Sequence, residues 1–222
     1  MPALDLAALV GNRTISPEMA ALLEAIGRER RSFLTLAVPR LAGKSTVMAA
    51  ILENAPAGTP VRVLDSARAF TEAEGASPEG YLVVPEVSPY AVMPGYLWGA
   101  SVRRAFALAG RGFSLTTALH APGVEAAFDV LCRGNGVPDD SAASLEFTIY
   151  IRSIGPWQAP RRRVVAEVHQ VHRVHNGNPE VTLLHRWDEA ADRFESLAAP
   201  TGLSDGDALA ASARRFAAFQ QP

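Results

Sequence analysis

The stretch LTLAVPRLAGKST, residues 34–46, decides the fold because it joins an apolar strand, a tight loop and the first turn of a helix. It contains Lys44, the only lysine among 21 Lys and Arg residues. A phosphate-binding loop needs a compact ammonium that lies against phosphate oxygens, and the wide guanidinium of arginine does not fit that place. The stretch therefore predicts a phosphate loop of the pattern GxxxxGK[ST].

The second half of this pattern matches the chain. Gly43, Lys44 and Ser45 stand in place, so backbone amides at the helix start would hold phosphate and the Ser45 hydroxyl would ligate magnesium. Val38 occupies the position of the first glycine, and a β-branched residue resists positive φ or close backbone approach. The alternative is a strand-to-helix turn that merely contains GKS.

Composition limits the classes of function. The 222 residues, with 48% hydrophobic content, suffice for one large domain with a buried core. The formal net charge of -2 gives no general attraction to nucleic acid or to an anionic membrane surface. The single cysteine, Cys132, excludes an internal disulfide framework and a multi-cysteine zinc site. We expect a cytoplasmic protein, because there is no long apolar run and no basic, signal-like start.

Hydrophobic periodicity predicts alternating strands and helices over the first part of the chain. The predicted strands are 33–38, 61–64, 81–84 and 113–119, and the predicted helices are 17–27, 44–53, 97–109 and 124–131. Three of the strands lead into polar residues, Asp65, Glu86 and His120. Ligands of open α/β sheets bind beyond the carboxyl ends of strands, so these side chains are expected to meet the GKS loop.

After Leu145 the sequence alternates between apolar and polar residues, which predicts antiparallel strands joined by turns at Gly155-Pro156 and Asn176-Gly177. The expected class is α/β: a largely parallel sheet in residues 1–143 with a helical lead-in at 1–30, a β-rich continuation of the same domain at 144–200, and a terminal helix in 201–222.

The order of these parts resembles the P-loop traffic ATPases of type II and type IV secretion and pilus systems, most closely the tight-adherence pilus branch. LAVPRLAGKSTVMAAIL resembles the Walker A unit of that family, YLVVPEV its Walker B strand, GRGFSLTTALHA its histidine box and RRRVVAEVHQVHRV its C-terminal strands. The resemblance covers nearly the whole chain and implies a RecA-like P-loop NTPase core. It implies ATP and Mg2+ as cofactors, and a hexameric ring that drives assembly or transport. The partners would be membrane-embedded or cytosolic components of the machine, with no nucleic acid and no direct membrane insertion.

The resemblance also assigns roles to residues. Lys44 would neutralise the β and γ phosphates, Ser45 would hold magnesium, Glu86 would orient or deprotonate the attacking water, His120 would sense the γ-phosphate, and Asp65 would match the acidic position after the second strand. The implied nucleotide-binding residues are Pro39, Arg40, Leu41, Ala42, Gly43, Lys44, Ser45, Thr46 and Asp65. Without the resemblance, a carboxylate such as Glu86 at a strand end is more often a solvated loop residue than a catalyst, and His120 is equally explained as a hydrogen-bonded core residue.

In this family an arginine of the adjacent subunit completes the site. The candidates for this arginine are Arg103, Arg104 and Arg152, and the sequence does not choose among them. The chain departs from the family pattern at Val38, Pro85, Ser88, Phe113 and Ala118, and we expect no counterpart of the family's separate N-terminal domain. A catalytically degenerate structural or regulatory subunit, with weak or no hydrolysis, is therefore the alternative function. An unrelated P-loop kinase or DNA-associated ATPase ranks third.

Two further patterns carry weaker predictions. His169, His172 and His175 are spaced by three, but a regular strand places His172 on the face opposite the other two, so a shared metal is not expected. The run Arg161 to Arg163 is typical of a solvated strand start that is also able to touch phosphate or an acidic partner.

Overall fold

The computed structural model describes residues 4–38, 40–90, 93–156, 158–203 and 206–220. The strands are β1 (Phe33–Leu36), β2 (Val61–Val63), β3 (Tyr81–Val87), β4 (Tyr96–Leu97), β5 (Ser114–Leu119), β6 (Phe147–Ile154), β7 (Arg162–His175), β8 (Asn178–Asp188) and β9 (Arg193–Ser196). The helices are α1 (Leu6–Gly11), α2 (Pro17–Arg28), α3 (Lys44–Leu52), α4 (Ala67–Gly75), α5 (Ala100–Ala109), α6 (Val124–Asp129), α7 (Asp139–Ala142) and α8 (Gly206–Ala217), and α6 continues into a π-helical turn at Val130–Gly134.

These strands form one nine-stranded sheet with the order β2-β3-β5-β1-β6-β7-β8-β9, and β4 pairs with the end of β3. β2, β3, β5, β1 and β6 pair in parallel, whereas β7, β8 and β9 are antiparallel additions. The sheet is therefore mostly parallel in its first half and antiparallel in its second, and the predicted fold class is confirmed. The first strand after Leu145, β6, still pairs in parallel with β1, so the antiparallel part begins one strand later.

Helices cover both faces of the sheet because alternate residues of the buried strands point in opposite directions. Phe33 of β1 and Tyr81 of β3 pack in one cluster with side chains of α1, α2, α3 and α8. Leu34 and Leu36 of β1 pack in a second cluster with side chains of α4, α5 and α6. All four residues of β1 are buried, so the strand that leads into the GKS loop lies in the interior of the molecule.

The helix predicted at 97–109 is shorter than expected at its start. Tyr96 and Leu97 instead pair in parallel with Glu86 and Val87 as β4. Gly99, at φ 61°, separates this strand from α5. The two strand residues satisfy their backbone groups against the sheet, which the local sequence pattern does not reveal.

The helix predicted after Pro17 is confirmed. Ser16 caps α2 through its side chain, and Pro17 stands in the first helical turn. No helix of the described residues is long and apolar enough to cross a membrane.

Candidate functional site

The candidate site lies where β1, β5 and β3 end side by side. β1 leads into the loop before α3, β5 ends one residue before His120, and β3 carries Glu86. β5 pairs with β1 on one side and with β3 on the other, so the carboxyl ends of all three strands are adjacent at the same end of the sheet. Glu86, His120 and the GKS loop therefore lie together at these strand ends, whereas the expectation also included Asp65.

A β-bulge directs Glu86 into this site. Val84 pairs with Thr117 and Val87 pairs with Leu119, so three steps along β3 oppose two steps along β5. Proline has no amide hydrogen to donate to a ladder, and a bulge is one of the places in a sheet that accept it. Pro85 thus stands where the resemblance expects glycine without interrupting the strand, and the extra residue changes the direction of the following side chain.

Lys44, Glu86 and His120 are in mutual contact. The Lys44 Nζ lies 3.3 Å from Glu86 Oε2 and 3.1 Å from His120 Nε2. Lys44 is 8% exposed and Glu86 is 5% exposed. The ammonium is therefore held by a carboxylate and an imidazole in a nearly dry environment, where electrostatic interactions are strong.

The contacts of His120 favour one tautomer. Its Nδ1 lies 3.0 Å from the carbonyl oxygen of Val38, which only accepts and so favours a proton on Nδ1, whereas Lys44 Nζ lies nearer to Nε2, at 3.1 Å, than to Nδ1, at 3.3 Å. With the proton on Nδ1, the lone pair of Nε2 accepts from Lys44, and His120 has no hydrogen to give to Glu86 Oε1, which lies 3.9 Å away. Oε1 is buried and has no hydrogen-bond partner among the described residues. One oxygen of Glu86 is thus unpartnered.

Burial acts on both charged groups of the pair. It lowers the pKa of Lys44, and the attraction of Glu86 opposes this effect. It raises the pKa of Glu86, and the positive charge of Lys44 opposes that effect. Each charge therefore depends on its partner, and the raised pKa makes the Glu86 carboxylate a stronger base than a solvated one.

The loop between β1 and α3 has left-handed backbone at two of its described positions. Gly43 has φ 101° and Leu41 has φ 61°, whereas Val38 is not among the residues with positive φ. Val38 therefore does not need the backbone freedom of glycine, contrary to the expectation from the motif. The strained position is Leu41, a residue that is 72% exposed.

A cavity of about 670 Å³ opens beside this loop. It is lined by Arg40, Leu41, Ala42, Gly43, Lys44, Ser45, Pro85, Glu86, Met93, Pro94, Tyr96, Ala118 and His120. The first turn of α3 has no side-chain cap, which leaves its amides available to an anion. Thr46 lines a second cavity, on the side of the loop that faces β7, and Pro39 lies outside the described residues.

Asp65 is not brought together with these residues. β2, which precedes it, is the edge strand, and β3 and β5 separate it from β1. The side chain is exposed, and in the described part of the chain it lines none of the cavities that border the loop. The role implied for Asp65 stays a prediction without a contact in this structure that supports it.

The three arginines considered for a neighbour's site already have partners within the chain. Arg103 donates to the Asn135 carbonyl at 2.6 Å. Arg104 forms two hydrogen bonds with Glu74, at 2.6 Å and 2.7 Å. Arg152 lies 2.9 Å from Glu189. The choice among them stays open.

The histidines of β7 do not form a metal site. His169 is buried, whereas His172 and His175 are exposed. A shift of register between Val171 and Arg173 breaks the alternation, so His169 and His175 do not share an environment as a regular strand would predict. In the described residues no group of three or more His, Cys, Asp or Glu side chains is placed to hold a metal ion.

Similarity to known proteins is found among solved structures. No protein-family model matches the chain, and no curated protein sequence matches it. The chain is similar to the VirB11 ATPase of the Brucella suis type IV secretion system in complex with sulphate, with 15% identity and a TM-score of 0.49 over 69% of this chain and 52% of that one. It is similar to the Legionella pneumophila ATPase DotB, with 14% identity and a TM-score of 0.47 over 87% of this chain and 54% of that one. The chain spans about half the length of these two structures.

Proposed function

We propose that the chain binds ATP and hydrolyses it as a subunit of a secretion- or pilus-type machine, working in a hexameric ring in the cytoplasm, where partner proteins hold it at the inner face of the membrane. The observation that carries the proposal is the grouping of Lys44, Glu86 and His120 beside the GKS loop, at the carboxyl ends of adjacent strands. Since one fold serves many functions, the type of machine rests on the order of the sequence motifs.

Phosphate binding follows from the loop and the helix start. Gly43 turns the backbone, and the uncapped first amides of α3 would donate to phosphate oxygens. Lys44 would turn from Glu86 towards the β and γ phosphates, which carry more negative charge than a carboxylate. The Lys44 ammonium is thus the group for which the ligand and Glu86 compete.

The Ser45 hydroxyl suits a magnesium ion. It is exposed at the helix start and lines both cavities beside the loop. Magnesium is usually held by one or two protein oxygens together with phosphate oxygens and water, so a single hydroxyl is a sufficient contribution from the loop. When bound, the ion neutralises charge on the β and γ phosphates.

Glu86 would act on the attacking water. Its Oε1 has no partner in the described residues, and its carboxylate loses its counterion when Lys44 moves to phosphate. A buried carboxylate with a raised pKa then accepts a proton from water more readily. Nucleotide binding would thereby activate the base that hydrolysis requires.

A calorimetric titration with MgATP and MgADP tests the proposal. Wild-type protein should bind both, Lys44→Ala should lose binding, and Arg68→Ala, which removes an exposed cation of α4, should bind as wild type does. The melting temperature should also rise with nucleotide, because ligand at a hundred times its Kd adds about 2.7 kcal/mol to the free energy of unfolding. Absence of binding at millimolar nucleotide, or normal binding by Lys44→Ala, contradicts the proposal.

A second function, that of a subunit which binds nucleotide without hydrolysing it, is favoured by the same ion pair. Lys44 and Glu86 are engaged with each other, and Glu86 Oε1 is shielded from solvent. Such a chain would serve the machine as a structural or regulatory part. Turnover measured on the assembled oligomer separates the two: binding that depends on Lys44 without turnover selects the second function.

A further inference from the structure

Arg163 reaches the phosphate loop from the antiparallel part of the sheet. Its Nε donates a hydrogen bond to the Leu41 carbonyl at 2.9 Å. Its Cδ lies 3.2 Å from the position that a Cβ on Gly43 would take. Arg163 therefore packs directly on the loop, at the left-handed Leu41 and at the glycine before Lys44.

A second cavity, of about 620 Å³, lies on this side of the loop. Gly43, Ser45 and Thr46 line it, as do the run Arg161 to Arg163 and apolar side chains such as Leu9. Lys44, Glu86 and His120 line the first cavity and not this one. The loop thus lies between two cavities. The first is lined by Lys44, Glu86 and His120, and the second is lined by arginines together with apolar side chains.

The three arginines of the run differ in their freedom to bind a ligand. Arg162 is held in place, because all three of its nitrogens donate, to the Arg13 carbonyl or to Asp192, and its guanidinium lies over the Trp187 ring. Arg161 lies beside Gly155 and makes no hydrogen bond to the loop in the described residues. Arg163 uses Nε for Leu41, and its two terminal nitrogens have no partner in the part of the chain that the structure describes. A guanidinium carries five N–H donors, so four of them stay available.

We propose that Arg163 is a second cation of the phosphate site, which binds the phosphate nearest the nucleoside while Lys44 binds the terminal phosphates. This inference rests on the proposed function and names the ligand class as a nucleoside di- or triphosphate. Such a ligand has phosphates for both cations and a base and ribose for the apolar surface of the second cavity. The Nε bond to Leu41 places the guanidinium, and the terminal nitrogens contact the ligand.

Arg163→Gln separates the charge from the bond to the loop. The Nε2 of glutamine stands as many bonds from Cα as the Nε of arginine, so the variant keeps a donor for Leu41 and loses the cationic end. In titrations with MgADP we expect Arg163→Gln to bind at least about tenfold more weakly than wild type. Arg163→Lys should restore part of the affinity, and Arg68→Gln, which removes an exposed cation of α4 outside both cavities, should stay within about twofold of wild type.

Inorganic tripolyphosphate makes failure of this inference distinguishable from failure of the proposed function. Equal MgADP affinity in Arg163→Gln and wild type overturns the role of Arg163 and leaves nucleotide binding intact. If wild type binds tripolyphosphate but no nucleotide, the proposed function is overturned. Weaker tripolyphosphate binding by Arg163→Gln than by wild type would then still support Arg163 as the second cation of the phosphate site. Binding of neither ligand, or tripolyphosphate binding that Arg163→Gln does not weaken, overturns the inference.

Discussion

The Lys44 ammonium lies 3.3 Å from a Glu86 carboxylate oxygen, and the two side chains are 9% and 6% exposed. The cation that would bind phosphate and the carboxylate that would activate water therefore hold each other when nucleotide is absent. Removing a buried charge from water is costly, and the cost is offset only while both partners are present. The stability of the fold and the affinity of the site are thus coupled through one ion pair.

The first prediction concerns the stability of this pair. Lys44→Met or Glu86→Leu alone leaves a buried charge without its counterion and should lower the free energy of unfolding by up to about 3 kcal/mol. The double variant removes both charges and should be nearly as stable as wild type. Urea denaturation of the four proteins measures the coupling, and additive effects of the single variants would contradict it. The exposed pair Arg68 and Glu72 is the matched control, with expected coupling below about 0.5 kcal/mol.

The second prediction separates binding from turnover. Glu86→Gln removes the negative charge that competes for Lys44, so MgADP should bind up to about tenfold more tightly, a gain of about 1.4 kcal/mol. The same variant removes the base for water, so any hydrolysis should fall by at least about a hundredfold. Glu72→Gln, on exposed α4, should change neither quantity. Weaker MgADP binding would mean that Glu86 does not compete for Lys44, and unchanged turnover would exclude Glu86 as the base.

The third prediction compares two positions of the loop. Leu41 has φ 61°, a conformation that costs a side chain about 1 kcal/mol or more and costs glycine little. Leu41→Gly should therefore leave stability unchanged or raise it by about 0.5 kcal/mol, since relief of strain exceeds the greater entropy of the unfolded chain. Val38→Gly gains no such relief and should lower stability by about 1 kcal/mol. Thermal denaturation tests the order, and an equal loss in both variants would contradict the assignment of strain to Leu41.

Much of this site could be predicted because its signals are local. A short apolar segment, typical of a buried strand, precedes each of Lys44, Glu86 and His120. The carboxyl ends of parallel strands lie at the same end of a sheet, so these residues are expected to be neighbours. The separation of Asp65 from Lys44, Glu86 and His120 could not be predicted, because local sequence does not determine the order of strands in a sheet. Only the pairing of β5 between β1 and β3, with β2 at the edge, decides which strand ends are neighbours.

Other features depend on contacts between distant residues. The direction of the Glu86 side chain follows from a bulge opposite β5, and β4 forms because Tyr96 and Leu97 find partners on β3. The contact of Arg163 with Leu41 joins residues 122 positions apart, and three consecutive arginines offer no signal as to which of them reaches the loop. The left-handed backbone at Leu41 is hidden because leucine is not a residue that usually adopts it.

The fourth prediction concerns the dependence of stability on pH. His185 of β8 is buried, with its Nδ1 3.1 Å from the Ser196 hydroxyl, and burial lowers its pKa to about 4. In the unfolded chain a histidine has a pKa of about 6.5. Between about pH 6.5 and about pH 4, His185 is therefore protonated in the unfolded chain and neutral in the folded one. The loss of stability develops as pH falls through this window and reaches on the order of 3 kcal/mol at its lower end.

Urea denaturation at several pH values between 7.5 and 4.5 measures this loss. Carboxylates also titrate in the lower part of this range, so the informative quantity is the difference between wild type and His185→Gln, which keeps an acceptor for Ser196 and does not titrate. The free energy of unfolding should fall less steeply with decreasing pH in His185→Gln than in wild type. His175→Gln, which changes an exposed histidine of the same sheet, should keep the wild-type slope. Equal slopes in all three proteins would show that His185 takes up its proton in the folded state as readily as in the unfolded chain, and burial would then not be the factor that sets its charge.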